Sequence, residues 1–378
     1  MELKIGVQEL ARALARSQGI VEKKSTMPIL SHVLLEATKA DQLHVSATDL
    51  DISVASEHPC EVLKEGKVAV PAKQLYEIVK SLPEKDALLK RASNNYLELK
   101  SGAAEFRIVG LPAEDFPALP HFDKVQLVSI DPKTMLEMID LTSFAVSADE
   151  TRYNLNGVYF EPAAGLLRAV ATDGHRLSLA ERTLAGDGDF HVKKGVILPR
   201  KGLSEMKKLL LEAADGETKL GFVENSAVLQ RPRVNLVMRL IEGVFPDYRQ
   251  VIPKAGEKRV TVGRDRFLDT LRRISLLSSD KAHAVKLELQ AGVLRILSQN
   301  PDLGEAKEDV PVEYQGDPLT IGFNARYLMD ALAALAALEP VAVQDVVLEL
   351  ADDLSPGVLK PAGKSATSFT AVVMPMRI

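Results

Sequence analysis

The chain has 378 residues, of which 46% are apolar and 26% are charged, and this composition is typical of a globular protein. The length exceeds what one ordinary core accommodates and fits two or three domains. Cys60 is the only cysteine, which excludes an internal disulfide framework and a cysteine-based zinc site. No apolar run is long enough to span a bilayer and the first residues lack a secretion signal. We therefore expect a cytoplasmic protein that does not contact membranes.

The net charge of −5 argues at first against a nucleic-acid partner. Net charge does not describe how the charges are distributed, however, and nucleic-acid binding depends on that distribution. The chain has no tryptophan, and aromatic residues make up only 5% of it. Proteins that grip single strands usually stack the bases on aromatic side chains, so the composition argues against that mode of binding.

Helical and β-like runs follow one another in the same order three times along the chain. Apolar residues at helical spacing, such as Leu10 with Leu14, predict a helix early in each third. These first helices are expected at Val7–Ser17, Pro132–Ser147 and Arg264–Leu277, and second helices at 72–82, 200–212 and 324–338. Short alternating or β-branched runs lie between them, for example Gly157–Glu161, Leu287–Leu289 and Leu294–Ser298. Each third therefore has the order helix, strands, helix, strands.

Two sequence elements indicate that these thirds are copies of one domain. A β-like run followed by a helical run occurs at Lys67–Val79, Gly195–Met206 and Leu319–Met329, at spacings of 128 and 124 positions. Asp49 and Asp173 stand in a second shared string, 124 positions apart, and Leu297–Leu303 is its degenerate third copy. Repeats of this length are whole domains rather than solenoid units. We place the boundaries near residues 122 and 254, in proline-containing stretches, giving domains 1–122, 123–254 and 255–378. The predicted class is α+β, with antiparallel sheets and helices on one face.

Positive charge is concentrated on the predicted helices. Counted over residues 7–18, 72–82, 132–148, 200–212, 264–281 and 324–338, the helices hold 15 Lys and Arg against 10 Asp and Glu, and their surplus of +5 leaves −10 for the rest of the chain. Ordinary solvated helix faces, paired with acidic residues one turn away, would explain any single member. As a set repeated in three domains, dispersed Lys and Arg without aromatic or amide readers are suited to phosphate contacts that carry no sequence information.

Three strings could be mistaken for catalytic or ligand sites. Asp173 and His175 could form an acid–base pair, but no nucleophile elbow or metal-spaced histidine pair accompanies them, and Asp49 lacks an equivalent histidine. Asp49 and Asp51, at i and i+2 after a β-like run, are expected to shape a turn rather than hold a metal. Gly357–Ser365 resembles a phosphate-binding loop, but it has one residue too many between its glycines and no helix follows it. We expect a turn or a recognition surface at Asp173, and neither catalysis nor a cofactor.

The chain ends on the apolar string Ala371–Ile378. One interpretation is that this string is the last core strand. The other is that it forms a binding surface, because Pro375 interrupts strand pairing so close to the end that Met376 and Ile378 need not enter the core. Methionines form adaptable apolar surfaces that accept several different peptides. The residues alone leave both interpretations open.

Several strings together resemble the bacterial beta sliding clamp family, the processivity subunit of DNA polymerase III. They are Ser25–Leu30, Arg152–Gly157, Ala171–Leu177, Phe245–Arg249 and Val372–Ile378. They occur in all three repeats and in the family's order. The resemblance implies three tandem DNA-clamp domains per subunit and a head-to-tail homodimer. The result would be a six-domain ring, with helices lining the hole and sheets forming the outer surface.

The resemblance also implies a function. A clamp of this family is a processivity factor without catalysis or cofactor, which encircles double-stranded DNA non-specifically. An ATP-driven clamp loader opens the ring. The implied partners are a second copy of the chain, duplex DNA, the DNA polymerase III catalytic subunit, the clamp-loader complex and other proteins with a clamp-binding motif.

The family's binding residues map onto named positions of this chain. The implied peptide pocket between domains II and III comprises Leu155, Thr172, Gly174, His175, Arg176, Leu177, Pro246, Val251, Asn324, Tyr327, Val372, Val373, Met374, Pro375, Met376 and Arg377. The implied DNA-facing positions are Lys24, Lys73, Arg152, Arg200 and Lys201. Apolar pocket members would receive Leu or Phe side chains of an extended peptide, and His175, Arg176 and Asn324 would fix its course. Gln250 replaces a second arginine of the family pattern, and the stretch Leu354–Pro361 departs from that pattern.

Two other function classes compete with this interpretation. A three-domain peptide-binding scaffold without DNA would show a neutral hole or no dimer. An enzyme built around Asp173 and His175 would lose a measurable turnover when His175 is replaced by alanine.

Overall fold

The computed structural model describes residues 1–22, 26–120, 122, 125–163, 165–184, 190, 192, 194–213, 216–253, 256–278, 283–338 and 343–377. Lys24, the predicted linker residues 123–124 and 254–255, and the terminal Ile378 lie outside the described residues. Among the described helices, none is long and apolar enough to cross a membrane.

The described residues form six α-helices, two in each repeat, at the places that the apolar periodicity predicts. Their bounds are α1 Val7–Ser17, α2 Ala72–Lys80, α3 Pro132–Thr142, α4 Arg200–Leu211, α5 Arg264–Ser275 and α6 Ala325–Ala334. The prediction for α1 is confirmed, whereas α3 ends five residues before the predicted Ser147. The Thr142 hydroxyl donates back to the Met138 carbonyl at 2.7 Å, and a 3-10 turn at Ser143–Ala145 follows. A side chain that bonds its own helix in this way often bends it.

The strands are short and, in every described pair, antiparallel. The first repeat contributes β1 Glu2–Gly6, β2 His32–Thr38, β3 Gln42–Thr48, β4 Ile52–Pro59, β5 Glu61–Lys64, β6 Gly66–Pro71, β7 Asp86–Arg91, β8 Leu97–Ser101 and β9 Ala104–Ile108. The second contributes β10 Leu127–Ile130, β11 Gly157–Ala163, β12 Leu166–Thr172, β13 Arg176–Thr183, β14 Val196–Pro199, β15 Thr218–Val223, β16 Ser226–Arg231 and β17 Val234–Arg239. The third contributes β18 Lys258–Gly263, β19 Ala284–Gln290, β20 Val293–Asn300, β21 Gly304–Pro311, β22 Leu319–Asn324, β23 Asp345–Leu350, β24 Gly357–Pro361 and β25 Thr367–Val373. The predicted α+β class with antiparallel sheets is confirmed.

The chain divides into two compact units whose border runs through the second repeat. The first unit comprises residues 1–132 and 201–240, and the second comprises 133–200 and 241–378. The first unit holds a five-stranded sheet, β5-β1-β7-β8-β9, and an eight-stranded sheet, β10-β15-β16-β17-β4-β3-β2-β6. The second holds an eight-stranded sheet, β14-β11-β12-β13-β25-β24-β23-β18, and a four-stranded sheet, β21-β20-β19-β22. Each eight-stranded sheet thus joins half of the second repeat to a neighbouring repeat.

The two joins are pairs of neighbouring strands from different repeats. In the first unit β17 pairs with β4, from Val234 opposite Ser56 to Met238 opposite Ile52. In the second unit β13 pairs with β25 over seven residues, beginning with Arg176 opposite Val373. Both joins are made by backbone hydrogen bonds. They therefore require only that the apolar residues of the two paired strands lie on the same face of the sheet.

The helices pack their apolar stripes against the sheets. Leu10 and Leu14 of α1 and Phe267 and Leu271 of α5 are fully buried, as their spacing predicts. Helices α1 and α2 pack together in the first repeat, and α5 and α6 in the third. Burying one such Leu or Phe side chain contributes about 1.5–3 kcal/mol, so these stripes fix which face of each helix meets its sheet.

Arg231 is a buried arginine that closes the end of α4. Its guanidinium donates to the backbone carbonyls of Leu209 and Glu212 and to the Thr218 hydroxyl, the last two at 3.1 and 3.2 Å. The carbonyls at a helix C-terminus have no partner within the helix. A cation there also interacts favourably with the negative end of the helix dipole. Burial lowers the pKa of Arg231. Its hydrogen bonds therefore link α4 to the strand beside it.

Replacing Arg231 by methionine should lower the free energy of unfolding by about 2–3 kcal/mol, because two helix-end carbonyls lose a charged donor. Urea denaturation followed by circular dichroism measures this loss. The control is Arg233→Met, an exposed arginine two residues away, which should change stability by less than about 0.5 kcal/mol. Equal effects of the two substitutions would show that Arg231 does not hold α4.

Candidate functional site

The turn between β12 and β13 is built by one aspartate. The Oδ1 atom of Asp173 accepts hydrogen bonds from the backbone N–H groups of His175 and Arg176 at 2.9 and 3.0 Å. The Thr172 hydroxyl accepts from the Gly174 N–H at 3.1 Å and donates to the Arg176 carbonyl at 2.6 Å. Gly174 has φ of +89°, a conformation that glycine adopts without strain. The carboxylate thus shapes the turn, as local Asp side chains often do.

The first repeat contains the same turn, which explains the recurrence of the aspartate. Asp49 Oδ1 accepts from the N–H groups of Asp51 and Ile52 at 3.0 and 2.6 Å. Thr48 accepts from the N–H of Leu50, which has φ of +79°. The prediction that Asp49 and Asp51 shape a turn is therefore confirmed. Among the described residues, no group of three or more His, Cys, Asp or Glu side chains could hold a metal ion.

Arg176 joins three parts of the second unit. Its guanidinium donates to Asp173 Oδ2 at 3.0 Å, to Asp330 Oδ2 of α6 at 2.6 Å and to the Phe144 carbonyl at 2.6 Å. It also lies over the ring of Tyr327, 4.6 Å from the centroid. The side chain is only 11% exposed. Its donors already have acceptors within the chain, so Arg176 holds α6 beside the turn rather than presenting a free guanidinium.

An apolar cluster lies beside this turn. Its buried members are Leu155, Val170, Leu177, Leu179, Ile197, Phe245, Tyr248, Val358 and Val372, with Tyr159, Ile241 and Ile252 packed against them. The cluster brings together Leu155, Leu177 and Val372, three of the predicted pocket residues. Phe245, Tyr248 and Ile252 were not predicted, although they belong to the string Phe245–Ile252 that also supplied Pro246 and Val251.

Several of the remaining predicted pocket residues are more exposed, although Val373 is buried. Pro246 and His175 are exposed, and Val251 and Met374 are 42% and 38% exposed. The side chains of His175 and Tyr327 stack with ring centroids 6.5 Å apart. Burial raises the pKa of Tyr327. Together these residues present apolar and aromatic surface. Several of them are neighbours of buried cluster members, either along the chain or across the sheet.

The tail leaves the core at a defined point. β25 ends at Val373, which is buried, and Met374 then donates its backbone N–H to the His175 carbonyl at 2.9 Å. Two residues later the Met376 N–H donates to the Gly322 carbonyl of β22 at 2.8 Å. Pro375 and Met376 are half-buried and Arg377 is exposed. The core interpretation is therefore confirmed up to Val373. Met374–Arg377 lie outside the core strand, and a binding role for them stays a prediction.

Asn324 has a local role at the start of α6. Its side-chain oxygen accepts the Arg326 N–H at 2.9 Å, which caps the helix. Asn324 is thus the N-cap of α6, two residues after Gly322, whose carbonyl holds the tail, and Tyr327 lies on the first turn of the helix. The turn at Asp173, the first turn of α6 and the tail thus converge.

The predicted DNA-facing residues fall into two groups. Lys73 and Arg200 are exposed in the first turns of α2 and α4, and neither forms an ion pair within the described part of the chain. Lys201 instead donates to the Asp49 carboxylate and to the Ile20 carbonyl. Arg152 donates to Asp149 and to the Asp173 carbonyl at 3.1 and 3.2 Å. Lys24 lies outside the described residues.

Arginines of α5 are paired with the carboxylates of Asp265, Asp269 and Glu308, and of these partners only Glu308 lies outside the helices and offsets their charge surplus. In α5, Arg264 pairs with Asp265 at 2.7 Å and Arg272 with Asp269 at 2.9 Å. Arg273 pairs with Glu308 of β21 at 2.7 Å. The interpretation of ordinary paired helix faces therefore fits α5, while Lys73 and Arg200 fit the phosphate interpretation better.

Of the two departures from the family pattern, Gln250 and the beginning of the stretch Leu354–Pro361 lie on exposed loops, whereas Gly357–Pro361 forms β24 and contributes Val358 to the apolar cluster. Gln250 ends a 3-10 turn, Tyr248–Gln250, and donates to Asp247 at 3.0 Å. Leu354 is 69% exposed, and its N–H donates to Asp352 at 2.9 Å in the loop between β23 and β24. Neither residue contributes to the apolar cluster.

Comparison with known proteins gives a consistent result over the whole chain. Family models for the N-terminal, central and C-terminal domains of the DNA polymerase III beta subunit match residues 1–120, 129–247 and 249–377. The Beta sliding clamp of Caulobacter vibrioides is 36% identical over 384 residues, with 100% of both chains covered. The crystal structure of the DNA polymerase III subunit beta from Pseudomonas aeruginosa superposes with a TM-score of 0.90 at 34% identity, again with both chains fully covered. A DnaN sliding clamp from Bartonella birtlesii bound to griselimycin gives a TM-score of 0.91 at 34% identity and the same coverage.

Three tandem α+β domains with a turn, a capped helix and a tail meeting beside an apolar cluster define a clamp protein. The chain belongs to the DNA polymerase III beta subunit family, the bacterial beta sliding clamps. The predicted resemblance and fold are thereby confirmed.

Replacing Arg176 by methionine should lower the free energy of unfolding by about 3 kcal/mol, because two carboxylates and a carbonyl lose a poorly exposed cation. Thermal and urea unfolding measure the loss. Arg152→Met is the control, because the Arg152 side chain is 48% exposed and a screened pair contributes less than about 1 kcal/mol. If Arg176→Met were as stable as Arg152→Met, Arg176 would not be holding α6 in place.

Proposed function

We propose that the protein encircles duplex DNA as a ring of two head-to-tail copies and tethers polymerases and other proteins to the duplex. The observation that carries this proposal is the full-length match to beta sliding clamps in all three domains. Under this proposal the protein acts in the cytoplasm, catalyses no reaction and requires no cofactor. Its domain boundaries are proposed near residues 122 and 254. The first falls between the matched family domains at 1–120 and 129–247, and the second falls a few residues inside the matched C-terminal domain, which begins at residue 249.

Two open sheet edges support the ring. β9 ends the five-stranded sheet of the first unit and β21 ends the four-stranded sheet of the second, and each pairs on one side only in the described chain. An open edge presents unpaired N–H and C=O groups that another chain can complete. Two different edges that meet head to tail can close into a ring after a fixed number of copies. Pairing β9 of each copy with β21 of the other would close it at two copies and six domains.

Charge at the helices supports a duplex partner. Lys73 and Arg200 are exposed cations without a partner in the described part of the chain. Lysines and arginines that contact phosphates bind any sequence equally. We include Lys24, Arg152 and Lys201 in the proposed DNA-facing set, with Lys73 and Arg200 as the cations most available to a phosphate.

The convergence of turn, helix and tail supports a peptide pocket. The proposed floor is the apolar cluster at Leu155, Leu177 and Val372, and the proposed rim includes Val251 and Met374. A partner in extended conformation would place Leu or Phe side chains against this surface. Arg176 would act indirectly, by holding the Tyr327 side chain and the turn at Asp173 in position. The proposed partners are the polymerase III catalytic subunit, the clamp loader and other proteins with the same binding motif.

Deleting residues 374–378 should weaken binding of a Leu- and Phe-containing peptide by about tenfold, which corresponds to about 1.4 kcal/mol. The deletion removes the Met374 rim and two backbone hydrogen bonds but leaves β25 complete. Fluorescence anisotropy measures the affinity, and sedimentation and thermal unfolding measure assembly and stability. Lys364→Ala, an exposed position in the loop before β25 and outside the predicted pocket, is the control. A deletion product that is unfolded or monomeric would show that the tail is core.

Clamps loaded on a closed circular duplex should stay bound at moderate salt, and linearising the same circle should release them. In a ring, topology rather than phosphate contact prevents escape. Retention on circles should therefore depend only weakly on salt, unlike binding held by many phosphate contacts. Gel filtration of labelled protein with each DNA measures retention. Equal retention on circular and linear duplex would rule out the ring mechanism.

A further inference from the structure

The segment Phe245–Ile252, here called the wall segment, connects β17 to the third repeat beside the apolar cluster. Only its 3-10 turn at Tyr248–Gln250 has regular structure. Phe245 and Tyr248 are buried in the cluster, Ile252 packs against it, and Val251 is 42% exposed. Because the segment has no strand partner, side-chain contacts must hold it in position.

The first contact is an aromatic stack. Phe245 lies on Tyr159 of β11, with ring centroids 4.9 Å apart and planes only 3° from parallel. Tyr159 and Glu161 alternate with the buried Val158 and Phe160 along β11, so they point to the same face of the sheet. The stack therefore holds the beginning of the wall segment over that face.

The second contact is the Glu161 carboxylate, which holds the middle of the wall segment. It accepts from the Tyr248 hydroxyl at 2.8 Å and from Arg249 Nη2 at 2.8 and 2.7 Å, one distance to each carboxylate oxygen. The side chain of Glu161 is 19% exposed. Hydrogen bonds between ionised groups are shorter and stronger than neutral ones, so Glu161 is the strongest polar anchor of this segment on the sheet.

Neighbouring strands complete the charges around Glu161. Arg168 of β12 lies opposite Glu161 in the register and reaches it at 3.4 Å. Arg168 also donates to Glu181 of β13 at 2.6 Å. Burial would raise the pKa of Glu161, but hydrogen bonds from Arg249 and Tyr248 hold this pKa below its ordinary value. The carboxylate is therefore ionised at neutral pH, with cations on both sides.

We propose that Glu161 is a positioning residue of the peptide pocket: by holding Tyr248 and Arg249, it fixes the wall segment so that Val251 and Pro246 face an incoming peptide. This inference rests on the proposed function of the pocket. A wall that is already in place spares the peptide the free-energy cost of ordering it. Without the Glu161 carboxylate, the wall segment would occupy its bound position for only part of the time. The apparent affinity for the peptide would be reduced to that fraction of its original value.

The experiment measures binding of a fluorescein-labelled extended peptide carrying one Leu and one Phe to the full-length protein. Glu161→Gln keeps the size of the side chain and removes its charge, so affinity should fall about threefold. Glu161→Leu also leaves the buried Tyr248 hydroxyl without an acceptor, and affinity should fall about tenfold. Glu181→Gln is the matched control: it removes a carboxylate from the same face that contacts Arg168 but not the wall segment, and affinity should be unchanged.

A double-substitution cycle separates positioning from general destabilisation. Val251→Ala removes the proposed wall contact at an exposed position and should itself weaken binding. If Glu161 acts through the wall, Glu161→Gln should weaken binding much less in the Val251→Ala background than in the wild-type background. A structural defect elsewhere would add its full effect in both backgrounds.

The outcomes distinguish this inference from the proposed function. Wild-type affinity in both Glu161 variants, equal losses for Glu161→Gln and Glu181→Gln, or full additivity with Val251→Ala would overturn the positioning role. If the wild-type protein does not bind the peptide, or if Leu177→Ala and Val251→Ala leave binding unchanged, the pocket itself is wrong, and the role of Glu161 falls with it.

Discussion

Antiparallel pairing between half-sheets of successive repeats is the constraint on which the structure depends. The second repeat is split, and each half completes its sheet with a strand of a neighbour: β17 with β4 in one unit and β13 with β25 in the other. A half-sheet left open would expose a row of unpaired backbone groups. The same requirement remains at β9 and β21, each of which has one open side in the described chain. A second copy that covers both edges would pair with them in the same way as neighbouring repeats pair within one chain.

The position of the candidate site follows from the second of these joins. Because β25 pairs with β13 in antiparallel register, its last residues arrive beside the first residues of β13, where the turn at Asp173 ends. Val372 enters the apolar cluster and Met374 bonds to His175. One strand end would therefore supply both the buried floor and the exposed rim of the proposed pocket. This arrangement explains why the tail is core up to Val373 and more exposed beyond it.

The sequence predicts features that depend on nearby residues and fails on those that depend on distant partners. The repeat period, helix α1 and the turn at Asp49 follow from local spacing, and the structure contains them. The predicted end of α3, Ser147, was wrong by five residues. The helix ends at Thr142, where a side-chain hydrogen bond to the helix backbone competes with the apolar periodicity. The resemblance assigns Arg176 to the peptide, and this stays a prediction; nothing in the sequence shows that Asp330 lies beside Arg176. Glu161 had no sequence signal, since its partners Tyr248 and Arg249 stand almost ninety positions away.

Charge pairing decides how strongly the proposed ring would hold its DNA. The sequence gives the helices a surplus of +5, but Arg264, Arg272 and Arg273 of α5 are paired with carboxylates. Each phosphate contact adds to the salt dependence and the affinity of non-specific binding, and every internal pair removes a candidate contact. A clamp that moves along DNA benefits from few contacts, because each one must break at every step. In the proposed ring, encirclement would therefore provide retention, and cations such as Lys73 and Arg200, which have no ion-pair partner among the described residues, would keep the duplex loosely held.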